Sequence, residues 1–351
     1  MRLEQLTFTR FLAAISIVIF HFGKEVFPFY HESINFLVLQ ANFGVSYFFI
    51  LSGFIMIISY GNKENIDYLE YIKNRFARIY PLYLIGILAM IIKPLLVLDV
   101  NIFDLFYSLI MVQAWIPGKA MLYNFPGWSL SVEMFFYMIF PLVYNYGYRF
   151  KRKFKITVVL IFIVWLFSQF VLHYFLHNGF YQSTNIVSHQ LLFYFPLMHL
   201  NEFLVGNLAG LFFLKNKDKF NKNYDLLIIA IFTLLIFVLK YPIGLNYHNG
   251  VLVLLFVPLI LLLSFNTGMI TTIFKNKFLV FLGEVSYGIY ILQLPLFYYS
   301  KELYFVNPTI TFFMKLLLHI SISCLVYLYV EQPMRVKIKS VKFKRNLIFS
   351  D

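Results

Sequence analysis

Arg10, His21 and Glu133 stand inside otherwise apolar stretches of this 351-residue chain, and Arg75 and Arg78 stand where a loop enters another such stretch. In RFLAAISIVIFH, residues 10–21, only apolar and small residues separate the arginine from the histidine. A charged side chain at a bilayer centre costs about 2.5–3.5 kcal/mol even on insertion scales, so such residues mark functional sites by default. At about 100° per residue, eleven residues make three turns plus roughly 20°, which puts Arg10 and His21 on one helix face, about 16 Å apart along the axis. Arg75 and Arg78, in NRFARIYPLY, also share a face, and guanidinium forks match phosphate oxygens. Together with Arg10 they predict an anion site near one membrane face. Glu133, in GWSLSVEMFFY, lies about one and a half turns into its helix, too deep to be only a cap, and unpaired it would be costly there. The reading that follows pairs it with His21, so that the carboxylate fixes the imidazole tautomer and raises its basicity.

Each residue also has a plainer reading. Arg10 can snorkel from a helix end, His21 can be a core histidine bonded to a neighbouring helix, and Arg75 and Arg78 can be cytoplasmic anchors. Ser129 or Ser131 with Glu133 can form a helix-capping box.

The elements that must position these residues are membrane spans. The chain is 61% hydrophobic and 13% charged, with a mean hydropathy of +0.76, whereas a soluble domain carries about a quarter charged residues. The reading is an all-α polytopic membrane protein. Apolar runs of suitable length fall near residues 7–24, 36–60, 79–98, 128–148, 156–176, 191–214, 224–241, 250–266, 278–299 and 309–330. Ten spans put both termini in the cytoplasm and gather 23 of the 29 Lys and Arg residues on that side, as the positive-inside tendency requires. Residues 102–116, IFDLFYSLIMVQAWI, are apolar but short; counted as a span they would turn RFKRK outward. Residues 102–127 therefore read as a re-entrant or interfacial segment on the outer face, with PGKAMLYNFPG as the return loop. The formal charge of +13 follows from topology and does not call for nucleic acid. Residues 1–336 read as one transmembrane domain and 337–351 as a basic cytoplasmic tail in contact with anionic lipid. The N-terminus lacks a small-residue cleavage site, so the first helix reads as uncleaved.

The single cysteine, Cys324, rules out an intramolecular disulfide, and His173, His177, His189 and His248 lack a ligand spacing, so no metal site is expected. GNLAG, residues 206–210, fits small-residue helix packing. No internal repeat of the inverted transporter kind is evident.

RFLAAISIVIFHF, FFILSGFIM (48–56), RFAR (75–78) followed by IYPLY, and WSLSVEMFFYMIFP (128–141), taken in order, resemble the integral-membrane acyltransferase family 3. NEFLVGNLAG (201–210), LGEVSYGIYILQLP (282–295) and VEQPMR (330–335) agree, and the likeness runs from about residue 3 to 336. The resemblance implies ten spans and transfer of an acyl group, most often acetyl from acetyl-CoA, to a hydroxyl of an extracytoplasmic glycan. By the same resemblance His21 is the essential histidine, Arg10 its partner, Arg75 and Arg78 the arginine pair, and Ser52 and Gly53 belong to a motif near the donor path. Gln293 departs from the pattern, since many members have a histidine there. Many larger members also carry a C-terminal extracytoplasmic hydrolase-like domain, which is not expected in these 351 residues. The predicted function is a membrane O-acyltransferase with catalytic His21, Glu133 and Arg10, and with the donor held by Arg75, Arg78, Arg10, Ser52 and Gly53. Its partners would be acyl-CoA, a glycan or glycolipid acceptor and membrane lipids, with no permanently bound cofactor. The rival is a transporter or flippase for a lipid-linked sugar or anionic metabolite. Abundant Phe, Ile, Lys and Asn suit an AT-rich bacterial genome, so the expected location is the bacterial cytoplasmic (inner) membrane.

Overall fold

The structure is a computed structural model that describes residues 2–96, 99–149, 151–242 and 244–341. Among these residues it is helical, without strands: α1 (Glu4–Phe22), α2 (Glu32–Leu39), α3 (Phe43–Tyr60), α4 (Tyr68–Leu96), α5 (Ile102–Leu109), α6 (Gly127–Val143), α7 (Lys151–His177), α8 (Ile186–Phe193), α9 (Pro196–Asn216), α10 (Asp225–Lys240), α11 (Val253–Phe265), α12 (Met269–Phe274), α13 (Lys277–Ile291), α14 (Gln293–Tyr299), α15 (Pro308–Val326) and α16 (Gln332–Ser340). Apolar length explains the architecture, because a helix satisfies all its backbone polar groups internally and can therefore sit in lipid. The chain is a multi-pass membrane protein of the all-α class.

Seven helices, or continuous helical runs, are long and apolar enough to cross a bilayer, and an eighth crossing arises if the bent pair α13–α14 counts as one. Each of the ten expected runs is helical, but α10 and α11, with 16 and 13 residues, rise only about 24 and 20 Å. Both fall short of a hydrocarbon core of about 30 Å. Residues 102–127 contain the eight-residue α5 and a single turn at Gln113–Trp115; α5 rises about 12 Å and cannot cross. Ile102, Phe103 and Phe106 on α5 are exposed. The boundary drawn at 336/337 falls inside α16, and residues 342–351 of the basic tail lie outside the described residues, as does Phe150 within RFKRK.

Helices that share lipid gain nothing from hydrophobicity when they associate, so close backbone approach has to hold them. The α3–α9 crossing shows how. A Cβ on Gly53 would stand 2.0 Å from the Phe203 carbonyl oxygen, and one on Gly206 would stand 2.1 Å from that of Ile50. Asn207 Nδ2 then donates to the Gly53 carbonyl at 2.8 Å. The GNLAG segment packs as expected.

Two irregularities shape the interior. Between α13 and α14 the axis turns by 67°, because Pro295 has no N–H for the carbonyl four residues earlier, that of Ile291. Between α15 and α16 the chain passes through one wide π-type turn, Tyr327–Glu331; such turns often stand at functional sites.

Candidate active site

A cavity of about 370 Å3 opens among α1, α3, α4, α6, α13 and the π-type turn. Its walls carry the guanidiniums of Arg2, Arg10, Arg78 and Arg335 against the carboxylates of Glu133, Glu284 and Glu331. Arg2 and Glu284 pair at the more exposed end. Arg10 lies within electrostatic reach of Arg78, Glu133 and Glu331, and Glu331 within reach of Arg335. Among the described residues, no hydrogen bond or ion pair occupies Arg10, Arg78 or Arg335. Their donors face the cavity opposite Glu133 and Glu331.

Glu133 is held from two sides. Ser52 Oγ donates to its Oε1 at 3.0 Å and Tyr137 OH donates to the same oxygen at 2.5 Å. The expected pairing of His21 with Glu133 is therefore corrected: the carboxylate belongs to the cavity, and His21 is not among the residues that line it. A position along a helix fixes depth and not which neighbour it faces, and α1 turns His21 toward α14.

The partner of His21 is Gln293. His21 Nδ1 lies 2.7 Å from Gln293 Oε1, and Gln293, fully buried, donates its Nε2 to the Tyr290 carbonyl at 2.7 Å. The second bond fixes which end of the amide faces the imidazole. A carbonyl oxygen can only accept, so Nδ1 carries the proton and Nε2 keeps its lone pair. The departure from the family pattern is thus the residue that sets the tautomer. The Phe125 ring stands edge-on at 4.5 Å from the imidazole. Nearer the cavity, Ser129 Oγ and Tyr290 OH lie 2.8 Å apart and both reach the Pro126 carbonyl. They line the cavity wall next to the turn that carries Gln293.

Two residues expected on the donor path lie elsewhere. Arg75 is buried behind the wall, its Cζ 5.8 Å from the ring centroids of Tyr60, Tyr71 and Tyr137, with Nη1 3.8 Å from Met56 Sδ. Only Arg78 of the pair lines the cavity, because the 300° swept by three residues leaves the two side chains about 60° apart on the helix. Gly53 is a contact between α3 and α9 and does not line the cavity; Ser52, one residue earlier, does.

The sequence reading did not single out Glu331 and Arg335, although their spacing of four in VEQPMR puts them on one helix face. It also passed over His199 and Glu202. His199 Nδ1 is 2.8 Å from Glu202 Oε2, and its Nε2 is 2.9 Å from the Phe193 carbonyl, with both side chains buried beside Phe49 and Trp128. This pair lies outside the cavity lining and joins α8 to α9. Among the described residues no group of His, Cys, Asp and Glu could hold a metal ion.

Fold and site together define a polytopic helical membrane protein with a charged internal cavity and an oriented imidazole beyond its wall. Residues 3–328 match the family described as Acyltransferase domain, and the chain belongs to that family. It is 32% identical over 164 residues to acyltransferase MdmB of Streptomyces mycarofaciens, covering 43% of this chain and 41% of that one. It is 25% identical over 365 residues to O-acetyltransferase OatA of Staphylococcus aureus, covering 93% of this chain and 56% of that one. The chain spans about half the length of these relatives. No solved structure matches it.

Proposed function

We propose that this chain is a membrane O-acyltransferase that moves an acyl group, acetyl in the first instance, from acyl-CoA to a hydroxyl of an extracytoplasmic glycan or lipid-linked glycan. The observation that carries the reading is that α1 holds Arg10 in a cavity shared with Arg78 and Arg335 and, three turns further on, the His21 imidazole in a tautomer set by Gln293. Arg10 and Arg78, with Arg335 and Arg2 toward the mouth, suit the phosphates of a CoA donor entering from the cytoplasm. His21 Nε2 suits a hydroxyl arriving from the outer side. The membrane would be the bacterial cytoplasmic membrane, with both termini inside.

In the step proposed, His21 Nε2 takes the proton of the acceptor hydroxyl as its oxygen attacks the thioester carbonyl. The C–S bond breaks, and the proton passes to the departing thiolate. Gln293 holds the ring in the tautomer that makes this possible. Glu133 balances part of the arginine charge, so that the cavity accepts a polyanion without being a bare cluster of cations. Arg10, expected to be catalytic, serves the donor here.

The test is acetyl transfer from labelled acetyl-CoA to an envelope glycan fraction, in membranes with matched amounts of wild type and His21→Ala. Glycan-dependent incorporation that disappears in His21→Ala is the expected result. No incorporation from any acyl-CoA by well-folded wild type, or full activity in His21→Ala, would overturn the proposal.

A further inference from the structure

We propose that Asn124, carried by the return loop ahead of α6, is a positioning residue that holds the α13–α14 turn and so aims Gln293 at His21. The inference rests on the acyl-transfer reading of His21. It begins with a backbone deficit. α13 ends at Ile291 and α14 begins at Gln293 after a 67° turn. In a continuous helix the Ile291 carbonyl would receive the N–H of residue 295, but that residue is proline and has none. A carbonyl left unsatisfied inside a membrane protein is strongly disfavoured.

Asn124 supplies the missing donor. Its Nδ2 lies 2.9 Å from the Ile291 carbonyl oxygen, and the side chain is 2% exposed. The contact joins an outer loop to a span far away in sequence, two residues before Gln293. Gln293 stands at this turn, its Nε2 bonded to the Tyr290 carbonyl within it and its Oε1 reaching across to His21 on α1, so the angle of the turn sets where Oε1 meets the imidazole. The next two loop residues press on the same place: the Phe125 ring meets the His21 imidazole at 4.5 Å, and the Pro126 carbonyl accepts from Tyr290 OH at 3.2 Å. Room for Asn124 is left by Gly86 on α4, where an added Cβ would come 2.7 Å from Asn124 Nδ2. Four elements therefore converge on one junction: α1, α4, the return loop and the broken span.

The experiment uses the full chain in detergent or nanodiscs, with two readouts: kcat and KM for acetyl-CoA, and the rate at which diethyl pyrocarbonate modifies His21, followed by peptide mass spectrometry. The second readout needs no turnover. Asn124→Ala should lower kcat about tenfold, the scale seen when an outer partner of an active residue is lost, leave the donor KM unchanged and alter the His21 modification rate. Gly86→Ala, which displaces Asn124 without deleting it, should shift both readouts in the same direction. Adding Pro295→Ala to Asn124→Ala returns an N–H to the turn, so thermal stability should recover while kcat stays low. Wild-type kcat and His21 reactivity in Asn124→Ala, or a change confined to melting temperature, would overturn the proposal. If wild type transfers no acyl group and His21 reactivity still responds to Asn124→Ala, the positioning role stands and the acyl-transfer reading falls.

Discussion

Arg75 and Arg78 look equivalent in RFAR, yet the structure gives them different surroundings, and the difference can be measured. Arg78 lines the cavity with no partner among the described residues. Arg75 sits 5.8 Å from each of three tyrosine rings behind the wall. If Arg78 meets a donor phosphate, Arg78→Ala removes at least one hydrogen bond to a charged group, with one such bond contributing about 1.5–3 kcal/mol. At about 1.4 kcal/mol per factor of ten, the donor KM should rise on the order of 10- to 150-fold. Arg75→Ala removes no ligand contact; it removes a caged cation, for which about 0.5–2 kcal/mol is usual, and empties a buried volume. Its effect should appear as lower thermal stability and lower yield, with the donor KM nearly unchanged. The assay compares acetyl-CoA with its analogue lacking the ribose phosphate. The discrimination between the two donors should narrow in Arg78→Ala if that phosphate is the one bound, and persist in Arg75→Ala. A donor KM that rises as much in Arg75→Ala as in Arg78→Ala would refute this division of labour.

Gln293→Leu should lower kcat by about tenfold or more while sparing the donor KM, since it leaves His21 Nδ1–H and the Tyr290 carbonyl without partners, at about 1–3 kcal/mol for each buried group; steady-state kinetics on purified protein checks this. Tyr137→Phe removes the 2.5 Å bond to Glu133 and should weaken donor binding through the freed carboxylate; isothermal titration with CoA would show the change. Gly53→Ala places a Cβ 2.0 Å from the Phe203 carbonyl, and overpacking of this kind costs about 1–3 kcal/mol or more. It should reduce the folded fraction in fluorescence-detected size-exclusion chromatography before it affects activity per folded molecule.

Much of the fold was legible because lipid imposes a one-dimensional rule. A run of apolar residues long enough to cross must close its own hydrogen bonds, and helices formed at each of the ten runs identified. The rule could not say which helices are shortened or broken. Pro295 sits inside an apolar run that reads as one span, and only the structure shows the chain turning there by 67°. That residues 102–127 form no helix long enough to cross was legible from charge and length together, although the contact of Phe125 with His21 was not.

For the site, the residue types and their places along the chain were determined by the sequence. Arg10 and His21 had to lie on one face of the first helix, because eleven residues return nearly to the same azimuth. Depth follows from such counting. Partnership depends on rotation about each helix axis and on which helices are neighbours, and those are decided by packing at close-contact points such as Gly53 against Phe203 and Gly206 against Ile50. Packing turned Glu133 toward Ser52, Arg75 into its tyrosine cage and His21 toward Gln293. It also brought Glu331 and Arg335 from the end of the chain to the Arg10 cavity. The sequence by itself determined that this protein lies in the membrane and which ionisable groups it carries there, since the cost of burying backbone and charge is local to each segment. Only the tertiary structure decided which of those groups face one another, since that is set by contacts between segments far apart in the chain.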